Sequence, residues 1–149
     1  MIRFVTRSVE ETWELGRRLG RAAPVGTVFA LRGMLGAGKT QLVRGIAEGA
    51  GVKDLGVVSS PTYVLMNVYE AGVGSGKAVY HVDAYRVGGG EDFAAVGLEE
   101  IMDEGEGLVV VEWPERIEAM LPEQRVEVRM EVLEENERQV EVEGMRGDF

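Results

Sequence analysis

The chain has 149 residues, no cysteine and a formal net charge of −10, and at this length it can bury about 68–70% of its unfolded surface, so one domain spanning 1–149 is expected. No apolar run approaches 18 residues and no basic–apolar–small leader opens the chain, so no membrane insertion or secretion is expected and a cytoplasmic place is. Residues 98–149 hold 17 acidic and 5 basic side chains, which disfavours direct phosphate contact with nucleic acid and suits a protein partner with a basic surface.

Ile2 to Thr6 alternates as a first strand, and Ser8-Val9-Glu10-Glu11 offers a capping box for a helix carrying Trp13, Leu15 and Leu19 and ending near Gly20 to Pro24. The connection between this strand and helix can pass close to a nucleotide base. Val28-Phe29-Ala30-Leu31 then reads as a buried strand. Directly after it, Gly33-Met34-Leu35-Gly36-Ala37-Gly38-Lys39-Thr40 fits the phosphate-loop pattern G-x-x-x-x-G-K-[ST] without a mismatch, and Gln41 to Ala47 continues as an amphipathic helix. Glycines at 33, 36 and 38 let successive N–H groups turn inward where the helix N-terminus adds partial positive charge, a nest for polyphosphate. The expected nucleotide set is therefore Gly33, Gly36, Ala37, Gly38, Lys39, Thr40 and Gln41. Lys39 would bridge the β- and γ-phosphates, and the Thr40 hydroxyl would ligate magnesium.

Gly49 and Gly51 break the helical pattern, and Val57 to Tyr63 follows. A hydroxyl in such a connecting segment can reach the metal or γ-phosphate, and Thr62 is the candidate. Tyr63 to Tyr69 and Ala78 to Tyr85 read as a hairpin around the glycine-rich Ala71 to Gly76. Alternation places His81, Asp83 and Tyr85 on one face. His81, the one histidine, reads as a hydrogen-bonded structural residue; Asp83 can hold a metal-bound water or orient the attacking one. Gly88-Gly89-Gly90 leads into two short helical pieces, Glu91 to Ala95 and Leu98 to Met102. Leu108-Val109-Val110-Val111 then ends in Glu112, the pattern of a buried parallel strand delivering an acid to the phosphate site, and Glu112 would bind magnesium directly or through water. Trp113 can pack under the nucleotide or against a partner. Gln124 to Met130 and Gln139 to Val142 read as a terminal hairpin turning at Glu134-Glu135-Asn136-Glu137, with Arg138 placed to reach the nucleotide. The expected architecture is α/β: a three-layer sheet of the phosphate-loop NTPase kind with flanking helices and an antiparallel C-terminal hairpin.

Taken together, Gly-x-Leu-Gly-Ala-Gly-Lys-Thr at 33–40, Ser-Pro-Thr-Tyr at 60–63, His-x-Asp-x-Tyr-Arg at 81–86 and Val-Glu-Trp-Pro at 111–114 resemble the TsaE family over essentially the whole chain. The resemblance implies a small ATPase that works with TsaB and TsaD in making N6-threonylcarbamoyladenosine at position 37 of tRNA, with ATP and Mg²⁺ as cofactors. It implies that Thr40 and Glu112 hold the metal, that Asp83 helps catalysis, and that tRNA is met only through the TsaB–TsaD heterodimer. Threonylcarbamoyl transfer itself would belong to TsaD. One position departs from the family pattern: Met34 stands where an acidic residue is usual, which leaves hydrolysis rather than binding open. Two other readings remain, a nucleotide-dependent binding module without hydrolysis and a small-molecule kinase. A guanine-reading Asn-Lys-x-Asp motif is absent.

Overall fold

The computed structural model describes residues 1–34, 36–53, 66–72, 76–85 and 97–149. Thr62, the segment around it, Arg86 and the expected helix at 91–95 lie outside the described residues.

The sheet is built outward from two apolar runs. β2 (Val28–Arg32) and β5 (Leu108–Glu112) pair in parallel, Val28 opposite Val109 and Leu31 opposite Glu112. Strands covered on both faces carry continuous apolar sequence rather than alternation, and these two do. β4 (Val79–Asp83) extends the parallel set beyond β5, and β6 (Val126–Glu134) extends it on the far side of β2. The edges are antiparallel: β3 (Met66–Tyr69) on β4, β7 (Glu137–Glu143) on β6, and β1 (Ile2–Thr6) on β7. Among the described residues the resulting order of seven strands is β1-β7-β6-β2-β5-β4-β3. The C-terminal hairpin is thus part of the central sheet, with β6 directly beside the strand that feeds the phosphate loop.

Helices cover both faces. α1 (Val9–Ala22) and α2 (Lys39–Ala50) pack on the face that carries Phe29, Leu31, Leu108 and Val110. α3 (Leu98–Glu104) and the 3₁₀ segment Pro114–Met120 cover the face carrying Val28, Ala30, Val109 and Val111. Because side chains alternate across a strand, the outermost residues on the α1–α2 face are His81 and Asp83 on β4 and Glu112 on β5. Polar groups replace apolar ones there, at the C-terminal end of the sheet.

α1 begins as expected at Ser8, whose hydroxyl accepts from the Glu11 N–H at 3.0 Å. The capping box is only half formed, since the Glu11 carboxylate accepts from the Arg7 N–H instead of that of Ser8. At the other end, the Lys77 ammonium donates to the carbonyls of Gly20 and Ala23 at 2.8 and 2.5 Å. α2 does not stop at Gly49 but runs through it to Ala50, with Gly51 in the left-handed conformation. The reason is tertiary. A Cβ on Gly49 would lie 2.1 Å from the Arg17 carbonyl oxygen, one on Gly20 2.1 Å from that of Ile46, and one on Gly45 2.2 Å from that of Trp13. These glycines let two helix backbones touch. Gly20→Ala is expected to lower stability by about 1–3 kcal/mol through overpacking, despite the gain of ~1 kcal/mol that alanine brings to an unobstructed helix. A raised urea midpoint in that variant would contradict this contact.

Candidate functional site

The loop between β2 and α2 is shaped by backbone that only glycine adopts readily: Gly36 has φ 81° and Gly38 φ 97°. The two helices on this face begin very differently. α1 has a serine cap and Glu10 and Glu11 in its first turn. α2 starts at Gly38 with no side-chain cap and no acidic residue in its first turn. Its first-turn N–H groups and dipole are suited to an anion, and Lys39, its first residue, adds a full positive charge.

Lys39 is 6% exposed. Its Nζ donates to the Gly33 carbonyl at 2.6 Å and sits 4.0 Å from the centre of the Trp113 ring. Burial pushes its pKa below the ordinary lysine value, while Glu112, Asp83 and Glu115 pull it back. Asp83 and Glu112 are register partners across β4 and β5, both buried. Among the described residues no three His, Cys, Asp or Glu side chains form a metal cage. Two carboxylates close enough to act on Lys39, with Thr40 next to it at the start of α2, are instead the donor set that suits a magnesium ion arriving with nucleotide phosphates and water.

Three further pieces surround this centre. Arg138, on β7, donates from Nε to the Ala37 carbonyl at 3.0 Å and from Nη2 to that of Gly36 at 3.4 Å, so the hairpin holds the loop from the side. A small cavity next to the loop is lined by Ser8, Thr12, Gly38, Gln41, Asn136 and Arg138. Among the described residues the buried Gln41 side-chain oxygen has no hydrogen-bond partner, so it is an acceptor available to a ligand's N–H. The strand-to-helix connection and Arg138 both border the loop.

Trp113 follows Glu112 in a left-handed conformation, φ 57° and ψ 47°, the one non-glycine residue with positive φ among the described residues. Such backbone costs on the order of 1–3 kcal/mol, and a following proline adds its own restriction. The conformation holds the indole over Lys39 and against the Tyr85 ring, 4.9 Å between centroids. Tyr85 itself lies beyond the end of β4, and its N–H donates to Asp83 Oδ1 at 2.8 Å. Sequence reasoning had Trp113 pack under the nucleotide or against a partner and did not foresee Lys39 as its neighbour.

It also missed Arg32. This residue ends β2, immediately before Gly33, and donates to Glu127 on β6 at 2.7 Å and to Glu118 at 2.9 Å. Arg125 bonds the same two carboxylates. The root of the loop is thereby tied to the 3₁₀ segment that follows Trp113. Its position between an apolar strand and the loop was the available signal.

The fold and this site define a phosphate-loop α/β protein, with one strand delivering the loop and a parallel neighbour delivering an acid beside it. The profile of the family described as "Threonylcarbamoyl adenosine biosynthesis protein TsaE" matches residues 6–140. Proteins named tRNA threonylcarbamoyladenosine biosynthesis protein TsaE are similar throughout. That of Treponema pallidum is 38% identical, covering 95% of this chain and 99% of its own. That of Streptomyces coelicolor is 42% identical, covering 79% and 77%. A crystal structure of YdiB from Bacillus subtilis superposes with a TM-score of 0.79 at 30% identity, covering 97% of this chain and 86% of that one. The chain belongs to the TsaE family, which acts in tRNA threonylcarbamoyladenosine biosynthesis. No described helix is long and apolar enough to cross a membrane.

Hydrogen bonds from Arg32 above all, and then from Arg125, hold the Glu127 carboxyl below its ordinary pKa. A carboxylate so shifted stabilises the fold above its unfolded value, about 4.3, and loses that contribution as pH falls through the lower folded value. Glu127→Gln should therefore be less stable than wild type at pH 7 and converge on it below about pH 4. Urea midpoints measured across that range check this, and a constant gap between the two proteins would contradict it.

Proposed function

We propose that this chain binds ATP with magnesium in the loop at 33–40 and hydrolyses it as an accessory ATPase, acting with TsaB and TsaD in the formation of N6-threonylcarbamoyladenosine at position 37 of tRNA. The observation that carries the reading is the convergence of Lys39, the bare N-terminus of α2, Asp83 and Glu112 at one end of the sheet. In this reading the loop amides and Gly36, Ala37, Gly38 and Gln41 cradle the phosphates. Lys39 exchanges the Gly33 carbonyl for phosphate oxygens. The base enters the cavity between Ser8, Thr12 and Asn136, where the Gln41 oxygen can accept from its amino group. Thr62 would add a hydroxyl near the γ-phosphate.

Thr40 and Glu112 would hold the magnesium ion, whose charge offsets that of the β- and γ-phosphates. The protein's own part is positional and electrostatic, with no covalent intermediate. Asp83, anchored through Oδ1 by the Tyr85 N–H, orients the attacking water. The chain's net charge of −10 supports contact with tRNA through partners rather than directly. Met34, at the second loop position, is 75% exposed. A partner completing the site there would make turnover slow for the protein alone.

Steady-state ATP hydrolysis with Mg²⁺, alone and with TsaB and TsaD added, tests the proposal. Stimulation by the partners is expected, with Lys39→Ala inactive in both mixtures. ATP that binds without being hydrolysed in either mixture would overturn it in favour of a nucleotide-dependent binding module. In the same assay Asp83→Asn should keep nucleotide affinity within a few-fold while losing about 100-fold or more in turnover. Equal loss of both would rule out a water-orienting role for Asp83.

A further inference from the structure

Behind Glu112 a line of hydrogen bonds crosses three strands. His81, on β4 and fully buried, places Nε2 2.5 Å from Glu112 Oε2. Its Nδ1 is 2.9 Å from the hydroxyl of Tyr69 on β3. The Asn67 side-chain amide in turn donates to the Tyr69 oxygen at 3.4 Å. A carboxylate that serves as a metal ligand can only accept from the imidazole, so Nε2 donates to Glu112 and Nδ1 is the acceptor facing the Tyr69 hydroxyl. The imidazole then carries its proton on Nε2 and donates it to the carboxylate. These three contacts then lead from Asn67 through Tyr69 and His81 to Glu112.

Away from the site this face is apolar, with Val79 two residues earlier on β4 and Val110 as the register partner of His81 on β5. A residue needed only for packing would be apolar too, because a buried imidazole is unfavourable unless both nitrogens are bonded. Both are bonded here, and one of them to the carboxylate at the candidate metal site. We propose that His81 is a positioning residue for metal binding, holding Glu112 Oε2 through its Nε2–H so that Oε1 is left to the magnesium of the nucleotide complex. The Tyr69 hydroxyl at Nδ1 matches the tautomer that makes this donation possible. The inference rests on the reading of Glu112 as a metal ligand. A ligand side chain held by an outer partner before the metal arrives binds more tightly, and removing such a partner commonly lowers metal affinity by about 10–100-fold.

The test uses Mn²⁺ in place of Mg²⁺, titrated into the full-length protein saturated with ADP and followed by electron paramagnetic resonance of the free ion. Nucleotide affinity is measured separately in EDTA. His81→Leu should weaken Mn²⁺ binding by about 10-fold or more and leave metal-free ADP affinity unchanged. His81→Gln, which can present an amide N–H near the same place, should recover most of the loss. A merely structural role would lower both affinities together and would not be rescued by glutamine. Should His81→Leu fail to fold, Tyr69→Phe removes only the hydroxyl and should weaken Mn²⁺ binding in the same direction. Wild-type Mn²⁺ affinity in His81→Leu, or in Tyr69→Phe where that is the variant measured, overturns the inference. Glu112→Gln separates the two levels: if it too binds Mn²⁺ as wild type does, the metal-ligand reading of Glu112 falls, and this inference with it. If Glu112→Gln weakens binding and the His81 and Tyr69 variants do not, only the positioning role falls.

Discussion

A buried ammonium must be met by oxygen or by an aromatic face, and the contacts of Lys39 organise the end of the sheet where this protein's chemistry is expected. In this structure the group is met by the Gly33 carbonyl and the Trp113 ring, with two carboxylates close enough to oppose the effect of burial. The surrounding features follow from that requirement. The loop needs glycine at 36 and 38 to curl around the lysine stem. Trp113 sits in an unfavourable backbone conformation that keeps its ring above the charge. The chain after it is clamped by Arg32 through Glu118, while Glu127 receives the same guanidinium on β6. In the proposed function, phosphate oxygens would take the place of the carbonyl and the ring as partners of the ammonium.

The scaffold keeps this end rigid by bringing backbones close. α2 presents its N-terminus at the loop because its glycines at 45 and 49 lie against the backbone of α1. The hairpin of β6 and β7 serves the same end, since β6 pairs with β2 and Arg138 on β7 grips the loop carbonyls. A β-hairpin that reads from sequence as a terminal structural element is thereby part of the frame of the site.

Much of this was legible in the sequence where the signal is local. A continuous apolar run before a glycine-rich loop predicted β2, and a second run ending in an acid predicted β5 and placed Glu112; both readings depend on covalent order and side-chain period alone. The capping serine of α1 was visible for the same reason. What was hidden depends on contacts distant in sequence. Gly49 reads as a helix breaker because local propensity counts its flexibility, whereas its position is set by the Arg17 carbonyl of another helix. Arg32 looks like an ordinary strand-end charge until residues 95 positions away supply its carboxylate. His81 was readable as a hydrogen-bonded residue, but its partners, Tyr69 and Glu112, are assembled by strand pairing.

In the proposed function, nucleotide binding would turn on Lys39 leaving the Gly33 carbonyl and the Trp113 ring for the phosphates of ATP. Tryptophan emission during a titration with magnesium and ATP reads this directly in a Trp13→Phe background, where Trp113 is the remaining tryptophan. A saturable change in Trp113 emission is the predicted result, because the ring loses a cation held 4.0 Å from its centre. Emission that stays flat while calorimetry registers saturating ATP would contradict it: the nucleotide would then be bound without moving the lysine on which the site is built.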